Sequence, residues 1–575
     1  MDNRSVRGPA GIRGRLALAA LLILSGSFLA HYIQTSGGSV RIRDVRFAGT
    51  GGHMMSALLY IPRSATPRTP APAVLAVHGY FNSREAQGDF AIEFARRGYV
   101  VLALDQTGHG YSDPPAFANR FGGPDGLAYL RSLDFVDRNN IGLEGHSMGG
   151  WAVVNAAAAS PDGYRAIVLE GSSTGRPFAP DGTPGFPRNL AVVFSKLDEF
   201  SQIMWGVGSA TDVSSSRKLW TAFGTDQPVI PGRLYGSVEA GTGRMLYTPP
   251  GTHPMDHISS AAIGASIDWF QRTLTGGSPK SPADQVWPWR EFGTLVALVG
   301  FVVLLLGTFE LLLGVPYFAA LAAPAPICGR QRDSRWWAAL LIGTCVPAIT
   351  LLPFFQIGSW LLPASAWLPQ SFTNEIVTWA VLNGLVVLGL QYAPGIAHPT
   401  FNTHLWRSVV IALLTVTVGY IAVAAVDFLF NVDFRIWFIA FKPMSQTQAR
   451  AFLLYLLPFA FYFIVALRAL HSVLPVKTRT IAGEYVTNVV ALTLGIALFL
   501  VVQYGSLVTT HQLRTFFMND ALRVIVAINF IPLLSIVAII STFIFRRTNS
   551  YLPGALISAL LVAWYAVVGQ ATQAP

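Results

Sequence analysis

The chain has 575 residues, of which 52% are hydrophobic and only 12% charged, about half the charged share of an average soluble domain. This length exceeds what one hydrophobic core fills, so two or more domains are expected. The net charge of +10 is not gathered into a basic stripe, which argues against nucleic acid as a partner. Charged residues become scarce after Arg290, so the chain divides there into a water-soluble and a lipid-soluble part.

The N-terminus carries several arginines and then an apolar stretch from Leu16 to Ala30. A basic segment followed by an apolar one is typical of an export signal or a signal anchor. The small residues of a cleavage site are imperfectly placed before His31, which favours an uncleaved membrane anchor over residues 1–33. A cleaved signal peptide is the alternative, and both predict that the following domain is exported.

Residues 36–275 alternate short apolar runs with helix-like segments. Val40–Phe47 and Met54–Ile61 predict an opening antiparallel pair. The later predicted strands are Ala73–Val77, Val100–Leu104, Ile141–Leu143, Ala166–Leu169 and Leu190–Phe194, and the predicted helices are 83–97, 124–138, 148–160 and Ser259–Leu274. Fully apolar strands that alternate with helices predict an α/β domain with a mostly parallel sheet covered on both faces. We expect a cap, if one exists, from Ser201–Pro250, where Leu234–Tyr247 is hairpin-like.

The segment 276–290 is rich in Gly, Ser and Pro and is predicted to link this domain to a membrane part. Residues 291–575 contain eight apolar runs near the ~20 residues that a spanning helix needs. These runs lie at about 293–315, 337–357, 375–393, 408–428, 451–470, 486–508, 522–545 and 551–570. The sequence therefore predicts an all-α transmembrane bundle and, with the N-terminal segment, nine spans.

Basic residues are unevenly divided between the two sets of loops that this topology creates. The predicted inside segments carry Arg4, Arg7, Arg13, Arg15, Arg330, Arg332, Arg335, Arg407, Arg468, Lys477, Arg479, Arg546 and Arg547. The predicted outside loops carry fewer, namely Arg435, Lys442, Arg450, Arg514 and Arg523. Basic loops stay in the cytoplasm, so residues 36–275 are predicted to lie on the extracytoplasmic side of a cell membrane.

The strongest chemical signal is the run from Gly145 to Gly150, with Ser147 at its centre, directly after the predicted strand Ile141–Leu143 and before a helix. A Gly-x-Ser-x-Gly sequence in this context predicts a sharp turn that exposes the serine hydroxyl as a nucleophile. Two more segments follow strands, His78-Gly79-Tyr80 and the loop that begins with Asp105.

In their order and spacing these three segments resemble the α/β-hydrolase superfamily, in particular its esterase, lipase and serine-aminopeptidase branches. The resemblance covers about residues 40–275. It implies an oxyanion hole formed by the N–H groups of Tyr80 and Met148. Gln106 stands where many relatives carry an arginine, and we expect that position to be structural.

A serine nucleophile needs a histidine base and an orienting acid, which in this fold follow the serine as acid and then histidine. Asp198 follows the strand Leu190–Phe194 and is the predicted acid, with Glu199 and Asp226 as alternatives. His253 and His257 both precede the last helix, and the spacing to that helix favours His253.

No cofactor or metal is expected, since the spacing of Cys328 and Cys345 fits no metal motif. Glu310 and Asp427 lie within predicted spans, where ionisable groups are costly and are often functional. Their role is left open.

Three functions fit the sequence. The first is a serine hydrolase that cleaves esters, or else amides or peptides, of small or lipid-like acyl substrates at the membrane. The second is a membrane acyltransferase that uses the same residues Ser147, His253 and Asp198. The third belongs to another class, a transporter or channel with a hydrolase-fold docking domain. A complete set of catalytic residues argues against the third, since a docking domain needs no such set.

Overall fold

The computed structural model describes residues 9–323, 332–391, 401–474, 480–517 and 519–574. Five of the predicted inside basic residues and one cysteine lie outside the described residues: Arg4, Arg7, Arg330, Lys477, Arg479 and Cys328. The chain forms two compact units. The sheet unit comprises Leu29–Phe292, Tyr504–Arg514 and Gly569–Pro575, and the helical unit comprises Met1–Phe28, Gly293–Gln503 and Thr515–Val568.

The sheet unit contains an eight-stranded, mostly parallel sheet. Its strands are β1 (Val40–Ala48), β2 (Met54–Pro62), β3 (Ala71–Val77), β4 (Val100–Asp105), β5 (Val136–His146), β6 (Ala166–Glu170), β7 (Leu190–Val193) and β8 (Arg244–Tyr247). The strand order is β1-β2-β4-β3-β5-β6-β7-β8. Strand β2 pairs antiparallel with β1 and β4, and all pairs from β4 to β8 are parallel. The predicted antiparallel opening and parallel core are confirmed.

Helices cover both faces of this sheet. They are α2 (Gly88–Arg96), α3 (Gly123–Ser132), α4 (Met148–Ala159), α5 (Ser201–Trp205), α6 (Arg217–Phe223) and α7 (Ser260–Thr273). Leu75 and Val77 of β3 pack in one apolar core with residues of α3 and α4. Val74 and Ala76 of the same strand pack in a second core with residues of α2 and α7. Because successive side chains point to opposite faces, burial on both sides explains why the strands are apolar throughout.

Two elements differ from the prediction. The helix expected at 124–138 ends at Ser132, and Val136 already belongs to β5. The main chain there pairs with β3, since the Ala71 N–H donates to the Phe135 carbonyl at 2.9 Å, and sheet pairing overrides helix propensity. The expected hairpin-like pair is reduced to one bridge between Tyr235 and Arg244, because the residues from Arg244 onward form β8 beside β7.

The helical unit contains the long apolar helices. Helix α1 is Pro9–Gln34, and the others are α8 (Trp287–Leu313), α9 (Ser334–Ile349), α10 (Leu351–Leu361), α11 (Ser371–Gln391), α12 (Leu405–Phe430), α13 (Gln446–Val473), α14 (Ile481–Thr510), α15 (Asp520–Thr548) and α16 (Leu552–Gly569). Among the described residues, eight helices are long and apolar enough to cross a membrane, and the bent pair α9–α10 makes nine if it is one span. Each predicted span overlaps one of them, as expected of a multi-pass membrane protein.

The two ionisable residues singled out within predicted spans have different surroundings. Glu310 in α8 is fully buried and forms ion pairs with Arg15 and, at 2.9 Å, with Arg547. A carboxylate between two guanidinium groups satisfies the requirement that buried charge be paired. Asp427 is partly exposed near the end of α12, where its carbonyl caps the helix by accepting the N–H of Asn431.

Candidate active site

Ser147 occupies a strained turn between β5 and α4. Its φ of 54° and ψ of −121° lie outside the regions that a residue with a side chain prefers, which is the backbone strain often found at functional sites. The surrounding backbone is tightly packed: a Cβ on Gly145 would overlap the carbonyl of Gly149, and a Cβ on Gly149 would overlap that of Val77. The glycines therefore permit the turn, and Ser147 remains partly exposed at the carboxyl edge of the sheet.

The segment after β3 lies against this turn. A Cβ added to Gly79 would come within 3.1 Å of Cβ of Ser147, so Tyr80, the next residue, follows directly beside the serine. The main-chain N–H of Gln106 donates to His78 Nε2 at 3.2 Å, and its side-chain amide donates to the His78 carbonyl. Gln106 thus ties the loops after β3 and β4 together, which is a structural role. Met148 begins α4, where N–H groups are not used within the helix.

Asp198 and His253 come together although they are 55 residues apart. His253 Nδ1 lies 2.8 Å from Oδ2 of Asp198, and the other carboxylate oxygen accepts the N–H of Phe200 at 2.7 Å. Their loops continue the pairing of β7 with β8, since the Leu197 N–H donates to the Gly251 carbonyl at 2.9 Å. The acid and the histidine are therefore positioned by two neighbouring strand ends, as Ser147 is by β5.

Both members of this pair are buried, and burial disfavours the charged form of each. Burial lowers the pKa of His253 to about 3 and raises the pKa of Asp198 well above its ordinary value. His253 is therefore a neutral imidazole at neutral pH, which is the form that accepts a proton. Gly171 packs closely against this pair, because a Cβ at that position would lie 2.8 Å from His253 Nδ1.

His146 connects the serine turn to the histidine loop. Its Nε2 lies 3.0 Å from the carbonyl oxygen of His253, and the two rings are 4.6 Å apart at their centroids. The alternative base, His257, packs its ring against the other side of this cluster, 4.0 Å from the His146 ring. Between the two candidate bases, the Asp198 carboxylate contacts His253.

The two alternative acids also have defined positions. Glu199 accepts the main-chain N–H of His253 at 2.7 Å and so contacts the same residue as Asp198, but through the backbone. Asp226 lies in an exposed loop after α6. Within the described ranges, no group of three His, Cys, Asp or Glu residues is arranged to hold a metal ion.

Several residues near the site are not among those predicted from the sequence. Three buried carboxyl groups lie in this part of the sheet unit, those of Glu144, Glu170 and Asp256. Glu144 and Glu170 could have been noticed as carboxylates inside apolar strands.

Residues from two later segments of the chain also contact this region, and no feature of the sequence indicates these contacts. The main chain of Thr572 pairs with Gly108 and Ala116, each at 2.8 Å. The Gln573 amide donates to the Tyr80 hydroxyl at 3.1 Å, and the Tyr504 hydroxyl donates to Glu199 at 2.9 Å. All these residues belong to the sheet unit.

Comparison with known proteins agrees with this architecture. Residues 68–203 match the family described as serine aminopeptidase S33. A monoacylglycerol lipase of Mycolicibacterium smegmatis is 31% identical over 166 residues, which cover 26% of this chain and 53% of the lipase. A putative non-heme haloperoxidase of Mycobacterium phage D29 is 33% identical over 112 residues, 20% of this chain and 40% of that protein. The chain thus spans about half, or less, of the length of these curated relatives.

Among solved structures, an esterase of Pyrococcus furiosus aligns with 42% of this chain and 94% of its own, at 15% identity and a TM-score of 0.30. The family match, together with the mostly parallel eight-stranded sheet, defines the class of protein. The sheet unit has the α/β-hydrolase fold, and its residues 68–203 match the serine aminopeptidase S33 family. The chain joins this hydrolase domain to a bundle of apolar helices long enough to span a membrane.

Proposed function

We propose that the protein is an exported, membrane-bound serine hydrolase that cleaves esters through an acyl-enzyme. The observation that carries the proposal is the 2.8 Å contact between His253 Nδ1 and Asp198, next to the strained turn that exposes Ser147. A strained serine, a neutral histidine and an orienting carboxylate are the groups that acyl transfer requires.

In this mechanism the Ser147 hydroxyl attacks the substrate carbonyl while His253 Nε2 accepts its proton. Asp198 holds the Nδ1–H and stabilises the imidazolium that forms. The N–H groups of Tyr80 and Met148 bind the oxyanion, where each donor is worth about 10²–10³ in kcat. His253 then returns the proton to the leaving alcohol, and water releases the acyl group by the reverse sequence.

A fluorophosphonate probe tests the nucleophile. We expect the full-length protein in detergent to be labelled at Ser147 and to hydrolyse a short nitrophenyl ester. Ser147→Ala should abolish labelling and lower turnover by at least about 10³-fold, because removing a triad member has effects of that size. Ser132→Ala, an exposed serine far from the turn, is the matched control and should behave as wild type.

The same assay separates the two histidines. His253→Ala should fall to the level of Ser147→Ala, while His257→Ala should keep part of its activity. Labelling that persists in Ser147→Ala, or full activity in His253→Ala, would rule out the mechanism.

The distribution of basic residues supports the proposal that the sheet unit lies outside the cytoplasm. Single cysteines test it in intact cells, after Cys328→Ala and Cys345→Ala. Asp226→Cys, in an exposed loop of the sheet unit, should react with a membrane-impermeant maleimide. Arg332→Cys, also exposed but on the predicted inner side, should react only after the cells are permeabilised. The opposite pattern would reverse the orientation.

The proposed substrates are esters with an apolar acyl chain that reside in or near the bilayer. Membrane attachment supports this class, because it raises the effective concentration of the site toward substrates that partition into lipid.

A further inference from the structure

The backbone of His253 is held by a second carboxyl group. Glu199 directly follows Asp198 in sequence, and its Oε2 accepts the His253 N–H at 2.7 Å. Asp198 contacts the imidazole ring of the same histidine. The ring of Phe200 packs edge-on against that imidazole with 4.6 Å between centroids. Three consecutive residues therefore contact His253 from its ring to its main chain.

Glu199 is itself held by a residue from a remote part of the chain. The Tyr504 hydroxyl donates to its Oε1 at 2.9 Å, across a sequence separation of 305 residues. Tyr504 lies in the last turns of α14 and belongs to the sheet unit with the residues that follow it, up to Arg514. Each oxygen of Glu199 thus has one hydrogen-bond partner, His253 for Oε2 and Tyr504 for Oε1.

We propose that Glu199 and Tyr504 are positioning residues, a clamp that fixes the main chain of His253 and thereby the direction in which its imidazole accepts the serine proton. The inference rests on the proposed function of Ser147 and His253. Proton transfer requires heavy atoms within hydrogen-bond reach, and a displacement of about 1 Å can lower the rate about 100-fold. His253 is the first residue of a short 3₁₀ helix, His253–Ile258, and the first N–H groups of a helix have no acceptor within it, so this residue needs such support from elsewhere.

The protonation state of Glu199 suggests the most informative substitution. Burial, and next the nearby Asp198 carboxylate, raise the pKa of Glu199 to about 8. The side chain is therefore largely neutral at pH 7, and in that form its hydroxyl donates to the Tyr504 oxygen instead of accepting from it. A glutamine offers an accepting oxygen to the His253 N–H and an amide that donates to the Tyr504 oxygen. Glu199→Gln should consequently preserve the clamp, and Glu199→Ala should remove it.

The test is steady-state hydrolysis of 4-nitrophenyl butyrate by the full-length protein in detergent, with the rate of fluorophosphonate labelling measured in parallel. We expect Glu199→Ala to lower kcat and the labelling rate by about 10- to 100-fold, with KM changed less than about twofold. Glu199→Gln should stay within about threefold of wild type. Tyr504→Phe, which removes one oxygen atom, should lower kcat by about 3- to 10-fold. The double variant Glu199→Ala with Tyr504→Phe should be no slower than Glu199→Ala, since both remove the same clamp.

Tyr247→Phe is the matched control. The Tyr247 hydroxyl also donates to a carboxylate of the sheet unit, that of Asp268, at 2.6 Å. Tyr247→Phe therefore removes the same kind of hydrogen bond as Tyr504→Phe and leaves the contacts of Glu199 intact. It should leave kcat unchanged. A wild-type rate in Glu199→Ala, a Glu199→Gln variant as slow as Glu199→Ala, or additive effects in the double variant would each overturn the inference while leaving Ser147 as the labelled nucleophile. Labelling that survives Ser147→Ala would instead remove the proposed function, and the clamp with it.

Discussion

The buried carboxyl groups of the helical unit and those around the candidate site of the sheet unit compensate the cost of burial in different ways. In the helical unit the carboxylates are paired with arginine. Arg523 is fully buried and contacts Glu375 at 2.9 Å and Asp520 at 3.0 Å, and Glu310 pairs with Arg547 at 2.9 Å. Arginine does not lose its proton in proteins, so each of these carboxyl groups has a permanent cation beside it.

Around the candidate site of the sheet unit, the buried carboxyl groups accept hydrogen bonds from neutral side chains instead of arginine. Glu144 accepts from Gln87 at 2.7 Å, Glu170 accepts from Ser266, and Asp256 accepts from Ser195. Burial raises the pKa of Glu144 to about 8 and raises the pKa values of Glu170 and Asp256 well above their ordinary range. Burial therefore favours the neutral form of each of these carboxyl groups.

The difference fits the function proposed for the sheet unit and the spanning length of the apolar helices. A membrane-spanning segment is surrounded by hydrocarbon, so a carboxylate there needs a permanent counter-ion within the bundle. A hydrolase site needs a dry, polar region in which a neutral histidine takes up and returns a proton, and a fixed arginine beside His253 would disfavour the imidazolium. The helical unit should therefore be sensitive to the loss of a cation, and the sheet unit to pH.

The largest effect on the free energy of unfolding is expected for Arg523→Met. This change leaves Glu375 and Asp520 buried without their counter-ion, which typically costs about 3–5 kcal/mol. We expect a large fall in the thermal unfolding temperature of the purified protein in detergent and a low yield from membranes. The triple variant Arg523→Met, Glu375→Gln, Asp520→Asn should recover most of this loss, because neutral groups of similar shape can replace a buried ionic set at little cost.

Two outcomes would contradict this view of the helical unit. A change below about 1 kcal/mol in Arg523→Met would mean that the pairs are screened by water, as exposed salt bridges are. A triple variant no more stable than Arg523→Met would mean that the arginine acts through its packing and its hydrogen bond to Gln356, at 2.8 Å, instead of its charge.

How much of this the sequence could predict depends on the distance along the chain between interacting residues. The turn at Ser147 is encoded within six consecutive residues, and the strands before the loops of Asp198 and His253 were recognisable by their apolar pattern. The structure then places that acid against His253 instead of His257, a choice that depends on the pairing of the loops beyond β7 and β8. No local pattern encodes such pairing.

Contacts between residues several hundred positions apart in the sequence could not be predicted from it. Tyr504 and Gln573 lie in apolar or terminal segments, and their partners Glu199 and Tyr80 are 305 and 493 residues away. Arg523 illustrates the same limit: it lies in the first turn of α15, and the sequence around it does not indicate that it pairs with a glutamate 148 residues away. Sequence periodicity finds elements, whereas partners that meet only in the folded chain need the structure.

A smaller change in the thermal unfolding temperature is expected for Glu144→Gln in the sheet unit. This substitution should raise the temperature, whereas Arg523→Met should lower it. Because the pKa of Glu144 is raised by burial from 4.5 to about 8, the folded protein binds a proton there that the unfolded chain releases between these values. Stability is therefore highest below about pH 4.5 and falls as pH rises toward 8. Glutamine cannot ionise, so the variant escapes this loss, and its carbonyl still accepts the hydrogen bond from Gln87.

We expect Glu144→Gln to unfold within about 1 °C of wild type at pH 5 and about 5 °C higher at pH 8.5, which corresponds to about 2 kcal/mol for a domain of this size. Thermal unfolding of the full-length protein in detergent, followed by tryptophan fluorescence at the two pH values, measures the difference. Glu239→Gln is the control, since Glu239 is exposed and should give no pH-dependent gain. An equal gain at both pH values would indicate better packing. A loss that grows with pH would mean that Glu144 is buried as an ion, and the sheet unit would then handle its carboxylates as the helical unit does.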